Sequence, residues 1–225
     1  MRADATNLAD WIWMYTPAHF AEKDVEVLHA FLRQQPLATL VTCGAEGLEA
    51  THVPMAFHPE IGVQGILRCH LARANPQWKT VQSAMPVLAI FQGTNHYITP
   101  SWYPTKQEHG KVVPTWNYVA VHVHGRGRLF EDQAELIEHL RTLTNQNEAG
   151  FPQPWSIDDA PRNYIEALTQ AIVGIEIAID VIEGKCKASQ NQPERNQAGV
   201  VTGLHGLHSP ESLRMAQLVR QRGLK

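Results

Sequence analysis

Residues 95–128 read NHYITPSWYPTKQEHGKVVPTWNYVAVHVHGRGR, and they join a loop rich in aromatic residues to a strongly alternating strand. The aromatic and proline residues of this stretch are Tyr97, Trp102, Tyr103, Trp116, Tyr118, Pro100, Pro104 and Pro114. Each tyrosine and tryptophan ring carries a large apolar area and a polar tip. Such a loop is therefore expected to cover a neighbouring subunit, a planar ligand, or both.

The residues after the loop alternate between the two faces of a strand. Over residues 119–130, apolar side chains share one face and two histidines and two arginines share the other. Residues 173–181 alternate more regularly still. Shorter strand patterns cover residues 37–43, 48–57, 65–71 and 86–92. Their spacing favours antiparallel hairpins over a doubly wound parallel sheet, and it predicts a closed or half-open barrel with peripheral helices.

Helical spacing marks the segments between and after these strands. Helices are predicted at residues 22–34, 74–83, around 162–171, and in two segments that begin at Asp132 and Ser209. Asn75 is placed to cap the second of these helices, and Pro76 stands at its first position. Ile137, Leu140 and Leu143 are predicted to form the inner face of the helix that follows Asp132.

Composition limits the class of protein. The chain has 225 residues, of which 44% are hydrophobic and 18% charged, so it is long and apolar enough to bury a core. A net charge of -3 argues modestly against DNA binding as the main role. The cysteines Cys43, Cys69 and Cys186 form no CxxC pair, which favours reduced thiols. With no recognisable leader or membrane-spanning run, we predict a soluble cytoplasmic protein.

Two segments carry a possible ligand site. Residues 70–79 (HLARANPQWK) place a strand end before a capped helix, which suits an anion or phosphate but also an ordinary solvated turn. Residues 51–54 (THVP) lie on the preceding strand, where the backbone could face a planar heterocycle. A strand kink at Pro54 is the alternative interpretation.

Other chemistry is less well supported by the pattern. His122 and His124 could hold a metal ion, but no third ligand follows at a recognisable spacing, so a solvated strand face is preferred. Cys69 and His70 are neighbours on a strand and point to opposite faces, which excludes direct pairing. The basic residues Arg214, Arg220, Arg222 and Lys225 on the last helix could contact nucleic acid. They could equally interact with the negative end of their own helix, and we prefer that simpler interpretation.

The sequence resembles the PaiB family, whose members are described as FMN-binding negative transcriptional regulators. The matching segments are MYTPAHF (14–20), PLATLVT (36–42), EATHVPM (49–55), HLARANPQWK (70–79), YITPSWYPTK (97–106), VPTWNYVAVHVHG (113–125) and KASQNQ (187–192). They cover nearly the whole chain, and the Ser-Trp-Tyr-Pro and Pro-Thr-Trp-Asn-Tyr pieces are quite specific. Residues beyond Gly199 lie outside the most characteristic motifs.

The resemblance implies a mainly β (α+β) fold, an antiparallel split β-barrel with peripheral helices of the flavin-reductase or pyridoxamine-phosphate-oxidase type. It also implies a homodimer with FMN at the subunit interface. By position, the residues implied to line the flavin ring and ribityl chain are Thr51, His52, Val53, His70, Leu71 and Ala72. Arg73, Asn75 and Lys79 would hold the phosphate, and Trp116 and Tyr118 would come from the partner subunit. We predict one domain over residues 1–198, which includes the N-terminal helix, and a helical tail over residues 199–225.

Function is less narrowly defined than fold. The first hypothesis is an FMN-binding negative transcriptional regulator, although no helix-turn-helix is recognisable in the sequence and the acidic balance fits an operator binder poorly. The second is an FMN-dependent oxidoreductase, in which any reaction belongs to the cofactor and no protein residue acts as a nucleophile. A third is a haem-binding protein, with an axial ligand among His19, His70, His96 and His122.

Overall fold

The computed structural model describes residues 14–82 and 86–223. In these residues the strands are β1 (Ala21–Glu22), β2 (Leu37–Gly44), β3 (Gly47–Pro54), β4 (Ala56–His58), β5 (Ile66–Ala72), β6 (Pro86–Ile98), β7 (Thr115–Phe130) and β8 (Ile172–Lys187). The α-helices are α1 (Val25–Gln34), α2 (Gln77–Gln82), α3 (Thr105–His109), α4 (Gln133–Glu148), α5 (Arg162–Thr169), α6 (Glu194–Gly206) and α7 (Pro210–Arg222). Ser83 and Lys225, which belong to two predicted helices, lie outside the described residues.

The strands form one sheet in the order β3–β2–β6–β7–β8–β5–β4, and β1 pairs with β8. The ladders β2–β3, β2–β6, β4–β5 and β5–β8 are all antiparallel. The order ends at β3 on one side and at β4 on the other, so the sheet is open. These observations confirm the predicted mainly antiparallel α+β architecture, in its half-open form.

Several of the predicted strands have different bounds in the structure. Strand β7 begins at Thr115 instead of residue 119, and β8 continues to Lys187 instead of ending at residue 181. The strand predicted over residues 48–57 is interrupted, because Pro54 ends β3 and Met55 separates it from β4. Proline has no N–H to donate to a continuing ladder, which accounts for the break. Strand β6 runs to Ile98, so the first residues of the aromatic stretch extend the strand instead of forming a loop.

The chain divides into two compact units. The first, here called the barrel unit, comprises residues 23–93 and 120–184. Its core is built from the inward faces of the strands and from helix α1, and its fully buried members include Leu32, Leu40, Met55, Leu67, Phe91 and Ile177. Helix α1 begins where the Asp24 carboxylate accepts hydrogen bonds from the backbone N–H groups of Glu26 and Val27.

Helix α4 belongs to the barrel unit and begins as predicted, with Asp132 accepting from the Glu135 N–H at 3.0 Å. Its predicted inner face is partly wrong. The buried residues are Leu136, His139 and Leu143, whereas Ile137 and Leu140 are only half-buried. The prediction failed because a histidine occupies the middle of the buried stripe, and a pattern of apolar residues does not mark histidine as buried.

The second unit, here called the tail unit, comprises residues 1–22, 94–119 and 185–225, of which the structure describes 14–22, 94–119 and 185–223. Its core contains Ile98, Tyr103, Cys186, Ala188, Val200, Val201, Leu204, Met215, Ala216 and Val219. Trp102 packs against this core. Helix α6 of the same chain therefore covers Trp102 and Tyr103, which accounts for two of the five aromatic residues of the opening stretch.

Helix α6 spans the position at which the sequence suggested a boundary between residues 198 and 199. Helices α6 and α7 share the core of the tail unit. Among the described residues, no helix is both long and apolar enough to cross a membrane.

Candidate functional site

The first candidate site lies in the barrel unit where β5 ends and α2 begins. Asn75 connects these elements, because its Nδ2 donates to Thr51 Oγ1 at 3.0 Å and its Oδ1 accepts from the Gln77 N–H at 3.0 Å. The predicted N-cap is therefore confirmed. The same side chain also ties the start of α2 to β3, whose outer edge pairs with no other strand in the described sheet.

A buried amide fixes helix α2 on the sheet. Gln77 is almost fully buried, and its Nε2 lies 3.1 Å from Leu40 O, 3.1 Å from Thr42 Oγ1 and 3.3 Å from Glu49 O. Thr80 adds a second link by donating to Glu49 Oε2 at 2.8 Å. The sequence analysis missed Gln77 because an amide in a short helix resembles a solvent-facing residue. The orientation of α2 is set by these long-range contacts.

Lys79 is the exposed cation of this helix. Its Nζ lies 5.6 Å from the centre of the Trp78 ring, a cation–π contact. Trp78 is itself held by an Nε1 hydrogen bond to Arg73 O at 3.1 Å. Within residues 14–82 and 86–223, the Lys79 ammonium makes no ion pair. It can therefore accept an external anion without breaking an ion pair with any of these residues.

Arg73 has a different environment from Lys79. Its guanidinium donates to Glu131 Oε1 at 2.6 Å, to Gln170 O at 3.1 Å and to Ile172 O at 3.1 Å. Three of its five N–H groups are thus used to hold the end of β5 against neighbouring segments, and two remain free. Arg73 can reach an anion only with these remaining donors.

The residues implied to line the flavin lie on different faces of their strands. Val53 and Leu71 are members of the hydrophobic core, so their side chains cannot touch an outside ligand. His52 and Ala72 are exposed, and Thr51 is half-buried. A ligand at this place would meet the backbone of β3 together with Thr51, His52 and Ala72.

The His70 side chain contacts helix α4. Its Nδ1 lies 3.1 Å from Nε2 of His139, whose side chain is 1% exposed. Burial lowers the pKa of His139 to about 3, with smaller contributions from the charges of His70, Arg68 and His58. Burial also lowers the pKa of His70. Both imidazoles are therefore neutral near pH 7, and one donates its N–H to the other. Sequence reasoning did not single out His139.

A charged network surrounds this histidine pair. Arg68 donates to Glu176 at 2.6 Å and to Glu135 at 2.9 Å, and Arg128 donates to Glu176 at 2.7 Å. Hydrogen bonds from the two arginines offset the effect of burial and lower the pKa of Glu176. The polar face of β7 predicted from sequence is thus partly used in ion pairs within the barrel unit.

The second candidate site lies in the tail unit and contains Trp116 and Tyr118. Trp116 is 54% exposed and meets Tyr97, which is 44% exposed, in an edge-to-face contact with ring centres 5.9 Å apart. Tyr118 lies under a cation, since Lys185 Nζ is 5.3 Å from its ring centre. Lys185 is buried and donates to Tyr15 O at 2.8 Å. Aromatic surface is therefore available here for a planar or apolar partner.

Other candidate groups serve structure. Burial raises the pKa of the Cys69 thiol to about 12, which makes it a poor nucleophile. Cys69 lies in the core while His70 faces α4, as the strand alternation predicted. His124 Nε2 lies 3.3 Å from Glu183 Oε2. In the described part of the chain, no group of three or more His, Cys, Asp or Glu side chains is arranged to hold a metal ion.

Comparisons with known proteins identify the family. Residues 14–181 match the family described as "Putative FMN-binding domain". A Bacillus subtilis (strain 168) protein named protease synthase and sporulation protein PAI 2 is 32% identical over 209 residues, which cover 93% of this chain and 98% of that protein. This chain belongs to the PaiB family of FMN-binding proteins. An uncharacterized protein of Emericella nidulans is 34% identical, with the same coverage of 93% and 98%.

This chain shares its fold with a flavoprotein of known structure. The FAD and heme binding protein from Mycobacterium smegmatis superposes with a TM-score of 0.54 at 15% identity, over 74% of this chain and 73% of that one. Such low identity concerns the fold alone. The likeness confirms the predicted split-barrel class, and the family match confirms FMN as the cofactor.

The residues of the first site fit a phosphate-bearing cofactor. Lys79 offers an exposed ammonium without a carboxylate partner in the described residues, and Arg73 retains two N–H donors. The assignment of individual residues to FMN remains a prediction, since the match to the family does not resolve single contacts.

Proposed function

We propose that this PaiB-family member is a homodimeric, FMN-binding negative regulator of transcription that works in the cytoplasm. The observation that carries this proposal is the extent of the match to the Bacillus subtilis protein. The shared 93% of the chain is larger than the FMN-binding segment 14–181, so it includes part of the region that holds α6 and α7. The relative's name associates it with protease synthesis and sporulation.

In the proposed FMN site, Lys79 supplies the main phosphate contact. Asn75 and the two remaining donors of Arg73 assist it. The free edge of β3 at residues 51–53 and the end of β5 at residues 70–72 face the ribityl chain and ring through their backbone, together with the side chains of Thr51, His52 and Ala72. When bound, FMN supplies hydride and single-electron chemistry.

We propose further that Trp116 and Tyr118 of a second subunit complete each FMN site. Exposed apolar side chains support an additional subunit, because large exposed apolar surface commonly marks a contact region. In the tail unit these include Trp116 and Tyr97. In the barrel unit Leu37 and Leu48 are 61% and 79% exposed on β2 and β3.

The regulator hypothesis is tested by asking whether the protein selects DNA. The full-length protein, with and without FMN, is incubated with sheared chromosomal DNA of its own organism at physiological salt, and retained fragments are sequenced. We expect a small number of upstream regions to be enriched, with an enrichment that differs about tenfold between the two forms. No enriched region in either form would contradict a direct regulator of transcription.

The competing oxidoreductase hypothesis is tested with the same preparation. Oxidation of reduced nicotinamide is measured with the FMN-loaded protein and with an equal concentration of free FMN. A regulator is expected to give no turnover above free FMN. Rapid turnover combined with absent DNA enrichment would favour the oxidoreductase.

A further inference from the structure

Helices α6 and α7 form a closely connected pair at the end of the described chain. Only residues 207–209 join them, and His208 has a left-handed backbone with φ of 55°. Ser209 caps α7 by accepting from the Ser212 N–H at 3.1 Å, while the Ser212 hydroxyl reaches back to Ser209. The geometry of the turn is therefore well defined, although the sequence carries no recognisable helix-turn-helix motif.

Helix α6 is the supporting member of the pair. Gly199 and Gly203 lie one turn apart and face Trp102, and a Cβ at either glycine would overlap Trp102 atoms. Asn196 adds hydrogen bonds to Thr105, with Nδ2 to Oγ1 at 3.0 Å. One side of α6 is thus fixed on the aromatic stretch, and α7 packs against it within the same core.

Helix α7 has one face buried and the opposite face open. Its buried side chains are Ser212, Met215, Ala216 and Val219. Near its C-terminus Arg222 pairs with the buried carboxylate of Glu22, which ties the end of the helix to the segment before α1. The exposed side chains of α7 are Pro210 and Glu211 in its first turn, followed by Leu213, Arg214, Gln217, Arg220 and Gln221.

These exposed side chains match the chemistry that reads DNA. Arginine makes paired hydrogen bonds to guanine and glutamine makes them to adenine in the major groove, which is wide enough for one helix. Arg214, Gln217 and Gln221 stand at i, i+3 and i+7, so they form one stripe along α7. Arg220 makes no ion pair with any described residue and is free to meet a phosphate. The contact from Arg214 to Glu211 at 3.1 Å is exposed and weak.

We propose that the outer face of α7 is the DNA-contacting surface of this protein, with Arg214 and Gln217 reading base edges and Arg220 holding the backbone. The proposal rests on the regulatory function proposed above and assigns it to one helix. Helix α6 acts as the rigid support that presents α7. The overall charge of -3 is compatible with this assignment, because a local basic stripe suffices for backbone contact.

The test uses the fragment most enriched by the full-length protein and a shuffled fragment of equal length. Binding is measured by fluorescence anisotropy for the wild type, for Arg214→Ala/Gln217→Ala, and for Arg162→Ala. Arg162 lies on α5 and has a 92% exposed side chain, so it controls for loss of a surface charge. We expect the double variant to lose at least about tenfold in affinity for the specific fragment, and Arg162→Ala to lose less than about twofold.

A third variant, Arg220→Ala, separates phosphate contact from base reading. It should weaken binding to both fragments alike and reduce the slope of log affinity against log salt by about 1. Unchanged FMN affinity and unfolding temperature would show that each variant is folded. If the wild type selects DNA and the double variant binds equally well, α7 is not the reading helix, while the regulatory function stands. If the wild type selects no DNA, both proposals fail.

Discussion

Asn75 Nδ2 lies 3.0 Å from Thr51 Oγ1, and this hydrogen bond joins the segment after β5 to the edge strand β3. Strands β3 and β5 do not pair with each other. In the strand order β3 stands at one end and β5 is next to last at the other end. The bond therefore bridges the opening of the split barrel. Because Asn75 also caps α2, the helix that carries Lys79 is positioned by the same side chain.

Replacing the two partners of this bond should separate bridging from capping. Thr51→Val removes the hydroxyl that accepts from Asn75 while keeping the shape of the side chain, and we expect a several-fold loss of FMN affinity. Asn75→Ala also removes the helix cap, which costs about 0.5–2 kcal/mol of stability, and should lose more affinity. Affinity is measured by flavin fluorescence and stability by denaturant unfolding. Thr144→Val on α4 is the control. Wild-type FMN affinity in both variants would show that the bridge does not shape the site.

Two separate glycine substitutions in α6 test how closely this helix packs on Trp102. Gly203→Ala should destabilise the protein by about 1–3 kcal/mol, because its Cβ would overlap the Trp102 ring. Gly206→Ala in the same helix has no atom within 4 Å of its new Cβ and should be neutral or stabilising by up to about 1 kcal/mol. Equal unfolding free energies for the two variants would rule out close packing of α6 on Trp102.

The buried histidine pair predicts a pH dependence of stability. His139 has its pKa lowered to about 3 in the folded state, so it binds a proton more readily when unfolded. The stability that the folded protein gains by keeping His139 neutral is fully present above the unfolded pKa of about 6.5. It is lost as the pH falls from there toward 3. From pH 7.5 to pH 5 the unfolding free energy should fall by about 2 kcal/mol from this group alone.

Two variants isolate this effect in urea unfolding at several pH values. His139→Leu should flatten the decrease between pH 7.5 and pH 5, whatever its effect on stability at pH 7.5. His109→Ala, which removes an exposed histidine on α3, should leave the wild-type slope in place. Parallel curves for the wild type and His139→Leu would exclude His139 as the source of the acid sensitivity.

Alternation made most of the fold predictable from sequence. For β2, β5, β7 and β8, at least one predicted end lies within about one residue of the observed end. Alternation locates these strands because burial of one sheet face imposes a period of two. Asn75 was identified as a cap because capping depends on neighbours in sequence. The inner face of α4 was misplaced at His139, since this buried imidazole is stabilised by His70 on strand β5, a partner that the local pattern does not reveal.

The contacts that shape the site depend on residues distant in sequence. Gln77 reaches Leu40 and Glu49, and Arg73 reaches Glu131. Trp102 is covered by a helix almost a hundred residues further along the chain. No periodicity encodes such pairs. The sequence therefore predicted where a phosphate site could lie, but not that Arg73 is largely engaged in hydrogen bonds while Lys79 makes no ion pair with any described residue.

The most direct measurement is a comparison of FMN and riboflavin binding to the wild type, Lys79→Ala and Lys23→Ala. Riboflavin lacks the phosphate, so it reports the ring and ribityl contacts alone. Loss of a charge-assisted hydrogen bond of about 1.5–3 kcal/mol should weaken FMN binding to Lys79→Ala by about 10- to 100-fold. Riboflavin binding to this variant, and both ligands with Lys23→Ala, should change less than about twofold. Equal FMN affinities for the wild type and Lys79→Ala would contradict the proposed FMN site.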